Sequence, residues 1–562
     1  MCCSTSSGHR RRGGVVAGRL GPAVASVVQE AARLRRCAPH HIATPPPGGR
    51  TEPMSSQSTN VSQSHPAAPT PLQEAFTNAA INTLVSALQW GASTVGRATP
   101  LRRAIIRRYD RRIRAQYARA FANSPGPTAM LQHRLDMALA ILHTMDRAMD
   151  QGLLGTATMR GVFNIVVREI LLTGGDAAVK QAFQARFGAI PPAILALSPG
   201  KACNLRCKGC YADAGPAPEK LSWPIFERIV HEARQLWGLR FFILTGGEPL
   251  AYRDQGKTVL DMAAQNRDCF FMMYTNGTLI DDEVARRMGE LGNLTPAISV
   301  EGMREATDAR RGAGVFDRVV AAMGRLRQAH VPFGISVTAS RDNADQVLSD
   351  EVIDYFYGEL GAMYGWLFHY MPIGRAITLE MMPTPQQRLA MMERMWEIIA
   401  QKHYFLADFW NSGILADGCI SAGGRGGYLH IDWNGSVSPC VFVPYSPVNI
   451  HDVYAQGKDL NDVWAEPFFA DLRAWQQAYN PGLGAPQPHP NGNLFMPCPF
   501  RDHHAEFMEI YRRHEPQPTD ENAEAALADP AYHQGMEEFD RELAALSDPL
   551  WQAHYLPPDG PR

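Results

Sequence analysis

From Pro71 to about Gly188, apolar residues recur every three or four positions, the period of an amphipathic helix. The repeat falls on Ile81, Leu84, Val85 and Leu88 within Phe76–Trp90, and on Leu101, Ile105, Tyr109, Ile113 and Tyr117 within Leu101–Phe121. Met130–Met149 and Val162–Leu172 continue it, with Met137, Met145 and Met149 as core filler. From Ile190 the period changes. Short apolar runs at Ala193–Ser198, Phe241–Thr245, Cys269–Thr275, Ala297–Val300, Phe333–Thr338 and Trp366–Met371 alternate with helices such as Trp223–Trp237 and Phe316–Gln328. Six strand-like runs with helices between them predict an α/β chain with a parallel (β/α) array. Thr384-Pro-Gln-Gln387 opens a further helix, reaching Lys402, with Thr384 as N-cap, Pro385 at the first helical position and Gln387 completing a capping box. Beyond it, Tyr428–Cys440 alternates about an Asn434-Gly435 turn and predicts a β-hairpin.

These shifts of pattern divide the chain. Residues 1–70 are rich in Arg, Ser, Gly and Pro and are expected to be disordered. There Met54 is a candidate true start, because Met54-Ser-Ser-Gln-Ser-Thr-Asn makes an ordinary polar N-terminus. Residues 71–189 form a helical region, 190–403 the (β/α) array, 404–515 a small C-terminal domain with the hairpin, and 516–562 a helical tail docked by Trp551 and Tyr555.

A formal net charge of -2 gives no overall pull toward nucleic acid or membrane. No run of eighteen apolar residues predicts a transmembrane helix. Charge is concentrated locally instead. Around the Leu101–Phe121 stripe lie Arg97, Arg102, Arg103, Arg107, Arg108, Arg111, Arg112, Arg114 and Arg119, against Asp110 alone. A basic amphipathic helix over 97–121 suits peripheral contact with the inner membrane surface or a polyanion; the alternative is a solvated helix packing its stripe on the rest of the protein.

Ten cysteines in 562 residues are too few for a disulfide scaffold. Three of them stand in Lys201-Ala-Cys-Asn-Leu-Arg-Cys-Lys-Gly-Cys-Tyr211, directly after the first strand. Cys203, Cys207 and Cys210 can hold three irons of a [4Fe-4S] cube, leaving the fourth open to a small molecule. A structural zinc site wants four ligands, and no fourth Cys or His is close by. The second strand then runs into Gly246-Gly-Glu-Pro249. Two glycines permit close backbone approach, and Glu248 can accept from an ammonium.

Together these two motifs resemble the radical S-adenosylmethionine (radical SAM) superfamily. The resemblance implies a partial (β/α)6 TIM-like barrel in which the open iron chelates SAM and Gly246, Gly247, Glu248 and Pro249 bind its amino group. By position at the ends of later strands it adds Asn276, Ser299 and Ser336 as SAM contacts. The chain departs from the usual pattern in having Gly209 before the third cysteine and Glu301 where relatives carry Asp. The turn Pro372-Ile-Gly-Arg375 recurs in relatives near the adenosine.

Cys419, Cys440 and Cys498 form a second set. The hairpin, Asn449-Ile450 and the segment around Trp464 resemble the SPASM auxiliary-cluster domain, reduced from seven cysteines to three. The resemblance implies a second [4Fe-4S] cluster, with Asp502, His503, His504 or Glu506 as candidate fourth ligand, or an open position for substrate. Lone Cys269 reads as a small buried residue.

The expected activity is reductive cleavage of SAM to a 5′-deoxyadenosyl radical, which takes a hydrogen atom from substrate. Electrons would come from a flavodoxin or ferredoxin in a reducing cytoplasm. The basic helix points toward a membrane lipid or isoprenoid substrate. Alternatives are a peptide-modifying SPASM-type maturase and a non-catalytic iron-sulfur electron carrier. No single residue is marked as catalytic.

Overall fold

The computed structural model describes residues 99–124, 127–162, 176–375, 377–481 and 492–556. The expectations for 1–70, for the helix at 76–90 and for most of 162–172 lie outside these residues. The described chain begins with a helical hairpin, α1 (Thr99–Ala122) and α2 (Ala129–Asp150). Ile106, Ile113 and Tyr117 of α1 pack on Leu135, Leu139 and Leu142 of α2. Arg102 is buried and pairs with Asp146 (2.8 Å) and with Asp150. The apolar stripe expected to meet a membrane is therefore covered from within the chain. Its phase also differs: Ile106 is buried and Ile105 is not.

The catalytic layer alternates as the sequence predicts: β1 (Ile194–Leu197), α3 (Trp223–Trp237), β2 (Phe241–Leu244), α4 (Val259–Gln265), β3 (Phe270–Thr275), α5 (Asp282–Leu291), β4 (Leu294–Val300), α6 (Arg304–Arg311), α7 (Val315–Gln328), β5 (Gly334–Ala339) and β6 (Tyr364–His369). Each strand pairs in parallel with the next, β1 to β6. The sheet then runs past residue 403. After α8 (Pro385–Lys402), which carries the expected Thr384–Gln387 capping box, β7 (Phe405–Asp408) pairs with β6. Following α9 (Gly413–Ala416), β8 (Tyr428–Ile431) pairs in parallel with β1, and β9 (Ser436–Ser438) folds back on β8 as the hairpin. Beyond lie β10 (Tyr445–Ser446) and β11 (Val448–Asn449); β11 is one edge of a ten-stranded sheet whose other edge is β7. The seam between β7 and β8 is unpaired, so the barrel is partial. Among the elements that follow are α10 (Pro499–Asp502), α11 (His504–His514), β12 (Gln517–Pro518) and α12 (Pro530–Tyr555), with β12 pairing with β10. Trp551 of α12 is buried against Phe495, docking the tail.

Helices cover the outer face, so outward side chains such as Phe242, Leu244, Phe271 and Ile298 are wholly buried. Inward ones are only half-buried: β2 and β6 alternate strictly, with Phe241, Ile243, Trp366 and Phe368 accessible from inside. The barrel thus encloses a chamber.

Candidate active site

The loop after β1 is fixed by its backbone. The Cys203 N–H donates to the Gly215 carbonyl (2.8 Å), and those of Gly247 and Glu248 donate to Gly200 (3.0 Å) and Ala202 (2.8 Å). The two motifs are thereby stitched edge to edge. A Cβ on Gly247 would lie 2.2 Å from the Lys201 carbonyl oxygen and 2.4 Å from that of Ala202. These contacts require glycine at 247 whatever the ligand does. Gly209, in place of an aromatic, has φ +58°, and its Cβ would fall 2.5 Å from the Tyr370 ring. Arg375 clamps the same loop, donating Nη1 to the Cys207 carbonyl (2.9 Å), Nε to Asp213 (2.8 Å) and Nη2 to the Ala214 carbonyl.

Of the expected SAM contacts, Gly246, Gly247, Asn276, Ser299 and Ser336 line the chamber with Cys203, Cys207 and Cys210; Glu248 and Pro249 lie behind it. Glu248 is buried, and its carboxylate is occupied: Oε1 accepts from Leu250 N (3.1 Å) and Thr275 Oγ1 (2.6 Å), Oε2 from Asn276 N (2.8 Å). Burial pushes its pKa up against those three donors. It therefore sets the end of β3, where Asn276 Nδ2 reaches Asn204 Oδ1 (2.9 Å) and lies 3.7 Å from Cys203 Sγ. Ser299 and Ser336 face each other across 3.2 Å. Glu301 binds Arg310 (2.6 Å) and Arg311 (2.7 Å) and accepts from Thr338 N (3.0 Å), placing two guanidinium groups on the chamber wall. Burial lowers the Arg311 pKa, but Glu301 and the neighbouring Cys207 and Cys210 together outweigh it and the net shift is upward. Sequence spacing does not mark Arg310 or Arg311, and the Pro372-Ile-Gly-Arg375 turn does not reveal that Arg375 clamps the cysteine loop, because the partners lie on other elements.

Cys419, Cys440 and Cys498 line the opposite part of the same chamber. Burial pushes the pKa of all three thiols up, that of Cys440 to about 12, and at Cys498 the nearby Asp502 carboxylate adds to the rise. The Tyr428 hydroxyl lies 2.8 Å from Cys440 Sγ, and Cys419 Sγ donates to Ser421 Oγ (3.2 Å). The candidate fourth ligands are committed elsewhere. Asp502 binds Arg388 through both oxygens and accepts from the Cys498 N–H (3.2 Å). His503 Nε2 meets the Met496 carbonyl (2.9 Å), His504 lies between the Phe500 carbonyl (3.0 Å) and His533 (2.8 Å), and Glu506 is exposed. None of the four lines the chamber. Cys269 is buried at the start of β3, as expected.

A buried pair lies where His369 lines the chamber. Arg501 Nη1 donates to His369 Nδ1 (3.2 Å), so the imidazole is neutral with its proton on Nε2, which donates to Asp408 (2.8 Å). Burial lowers the His369 pKa against the pull of Asp408. An aromatic wall joins the cysteine loops: Tyr211 meets Phe442 (ring centroids 5.9 Å apart), which meets Phe409 (5.4 Å) and Trp410 (5.0 Å).

The donor set fits iron-sulfur binding. All six thiols are free, each triad faces open space, and three thiols supply one ligand to each of three irons. Among the described residues, no group of three His, Cys, Asp or Glu side chains is arranged to hold a single metal ion.

A parallel partial barrel with two cysteine triads on one chamber defines an iron-sulfur protein. Residues 197–348 match the radical SAM superfamily, and residues 419–483 match SPASM, an iron-sulfur cluster-binding domain, which takes in Cys419 and Cys440 and stops short of Cys498. The chain is 30% identical to the mycofactocin maturase MftC of Mycolicibacterium smegmatis over 49% of its own length and 71% of that protein's. It is 32% identical to the AdoMet-dependent heme synthase of Nitratidesulfovibrio vulgaris, over 33% of this chain and half of the relative. With the sporulation killing factor maturation protein SkfB of Bacillus subtilis it shares 33% identity over 26% of this chain and 35% of that one. Among solved structures, Streptococcus suis SuiB bound to S-adenosylmethionine overlaps 53% of this chain and 72% of that one, with TM-score 0.43 and 18% identity. The chain belongs to the radical SAM superfamily and carries a SPASM domain; it binds a [4Fe-4S] cluster and SAM, with further iron-sulfur binding in the SPASM domain.

Proposed function

We propose that this protein takes a hydrogen atom from an unactivated C–H bond and returns an oxidised product. The observation that carries this reading is the placement of both triads on one chamber, joined by the Tyr211–Phe442–Trp410 wall. Cys203, Cys207 and Cys210 would hold a cluster that, when bound, would supply the electron for reductive cleavage of SAM. The protein's residues do the rest. Gly247 and Arg375 hold the cysteine loop, Glu248 orders Asn276 toward Cys203, and Glu301 holds Arg310 and Arg311 on the wall where a carboxylate or adenosine can be received. Cys419, Cys440 and Cys498 would hold the cluster that receives an electron from the substrate. A low-potential donor such as flavodoxin or ferredoxin in the cytoplasm would reduce the first.

Two readings of the substrate have specific support. Relatives named for peptide maturation, above all the mycofactocin maturase with 71% of its length covered, support a peptide. The membrane-surface argument from α1 loses its ground, since α2 covers the apolar stripe and no helix among the described residues is long and apolar enough to cross a membrane. The chamber lining supports an apolar chain on independent grounds.

Anaerobic reconstitution with iron counting, and chromatography for 5′-deoxyadenosine with dithionite and SAM, tests the reading. Wild type should hold about eight irons, and a Cys203/Cys207/Cys210→Ala variant about four with no 5′-deoxyadenosine. A fully loaded protein that never cleaves SAM would instead be an electron carrier.

A further inference from the structure

The chamber continues well below the cysteine loops. Its lining reaches Ile194, Phe241 and Phe405, the first residues of β1, β2 and β7, and Met137 of α2. The strand itself, Phe241–Leu244, spans three steps of ~3.3 Å, about 10 Å, below the turn that leads to Gly247. The cavity measures about 440 Å³, a volume that takes in the space beside the two cysteine triads and the SAM contacts as well as the lower part.

The lower walls are almost wholly apolar: Ile243, Met272, Trp366 and Phe368 project inward, with Phe409 and Leu415 along the seam between β7 and β8. The hydroxyls of Ser299 and Ser336 meet each other, and Arg310 and Arg311 are engaged by Glu301. Asp408 accepts from His369, from Asn411 Nδ2 (2.9 Å) and from the backbone of Trp410 and Asn411 (2.9 Å each). A polypeptide backbone pushed to this depth would bury a row of N–H and C=O groups against walls that offer few polar partners, such as Tyr274 and Trp366. Arg310 and Arg311 share the one Glu301 carboxylate, and Arg310 Nε has no partner among the described residues, so a tetrapyrrole carboxylate would be received beside them and not on the apolar lower walls. A chain of methylenes needs no polar partner, and the half-buried aromatic faces would gain contact with it.

We propose that the substrate occupies this chamber as a linear, uncharged hydrocarbon chain of a lipid, acyl or isoprenoid, extending from Phe241 and Phe405 up to the two cysteine triads. Exposed Ala416 lies on the same wall and marks where the seam meets solvent, leaving room for a polar head outside. The chemistry done on the chain rests on the radical SAM reading above; the occupancy does not.

The test uses the reconstituted full chain and trans-parinaric acid, a fluorescent linear C18 acid. Saturable binding is expected, displaced by palmitic acid or by geranylgeraniol, and the one that displaces at lower concentration separates acyl from isoprenoid. Haemin and an apolar decapeptide should need at least tenfold more. Phe241→Asp should weaken binding at least tenfold, and Phe241→Leu less than threefold. Because Phe241→Asp could fail to fold, the wild type is also cross-linked with a diazirine-bearing fatty acid, whose adducts should map to β2, β6 and β7. No saturable binding, adducts confined to the outer surface, or stronger displacement by haemin or the peptide would overturn the proposal. Binding without 5′-deoxyadenosine would sink the radical reading and leave the occupancy intact; SAM cleavage without binding would do the reverse.

Discussion

Arg375 Nη1 lies 2.9 Å from the carbonyl oxygen of Cys207, joining the turn after β6 to the loop after β1. The guanidinium also reaches Asp213 and the Ala214 carbonyl, and the Arg375 N–H meets the Cys210 carbonyl (2.9 Å). Arg375→Ala removes three side-chain bonds at about 1 kcal/mol each. The loop should loosen and the first triad should lose iron. Iron content should fall toward that of the Cys203/Cys207/Cys210→Ala variant, while Arg375→Lys, which cannot span the same acceptors, recovers little.

Gly247→Ala should act on the same loop from the other side. The added methyl meets backbone oxygens of Lys201 and Ala202 that cannot swing away. Overpacking of this kind costs roughly 1–3 kcal/mol. SAM affinity measured by equilibrium dialysis should drop along with iron retention, because the β2 end and the cysteine loop share the displaced backbone.

For Glu248, the geometry distinguishes ordering from direct contact. Its oxygens serve Leu250, Thr275 and Asn276. Glu248→Gln turns an amide donor toward these donors, costing about 1.5–3 kcal/mol for a charged hydrogen bond. Both the melting temperature and SAM binding should fall. A loss of SAM binding with unchanged melting temperature would mean that the carboxylate touches the ligand itself.

Much of this site was legible in the chain. Cysteine spacing, the Gly-Gly-Glu-Pro turn and the alternation of strands with helices are local patterns, and local patterns survive in one dimension. What was hidden depends on long-range pairing. The partners of Glu301, Arg310 and Arg375 lie on other elements, and no spacing rule joins residue 375 to residue 207. β7 and β8 are short and separated by irregular chain, so their place in the barrel sheet follows only from register. The basic helix misled because charge on one face is visible in sequence, whereas the covering of the other face by α2 is not. Asp502 and His503 follow Cys498 closely enough to look like ligands, yet Arg388 and the Met496 carbonyl claim them first.

Asp540 gives the fold a pH dependence. Burial, with the nearby charge of Asp502, pushes its pKa up to about 8 against the hydrogen bond from His504 N (2.7 Å). In the unfolded chain the same group ionises near 3.9. Between those values the native state holds a proton that the unfolded state has released, so stability falls as pH rises and levels off above about pH 8. The buried His133, His430 and His504, each lowered to about 4, stay neutral in the fold, while their unfolded forms, ionising near 6.5, still shed protons above that pH and so offset part of the Asp540 slope. From pH 6.5 to 8 the Asp540 contribution alone should fall by roughly 1–2 kcal/mol. Across that window the stability of Asp540→Asn, followed by thermal unfolding, should rise relative to wild type; parallel pH profiles in the two proteins would assign the dependence to another group.

The second triad makes a separable prediction about its ligands. If Cys419, Cys440 and Cys498 hold the second cluster, alanine at any one should remove about four irons and leave SAM cleavage by the first triad in place. His503→Ala and Glu506→Ala should keep all their iron, since neither side chain lines the chamber. Asp502→Asn behaves differently again. It strips the charge partner from the buried Arg388 and Arg501, a change worth roughly 3–5 kcal/mol when a buried pair is broken. Its iron loss should therefore track unfolding, and iron measured on the folded fraction should match wild type. If folded Asp502→Asn lacks four irons while its melting temperature is unchanged, Asp502 is a ligand and the Arg388 pair is secondary.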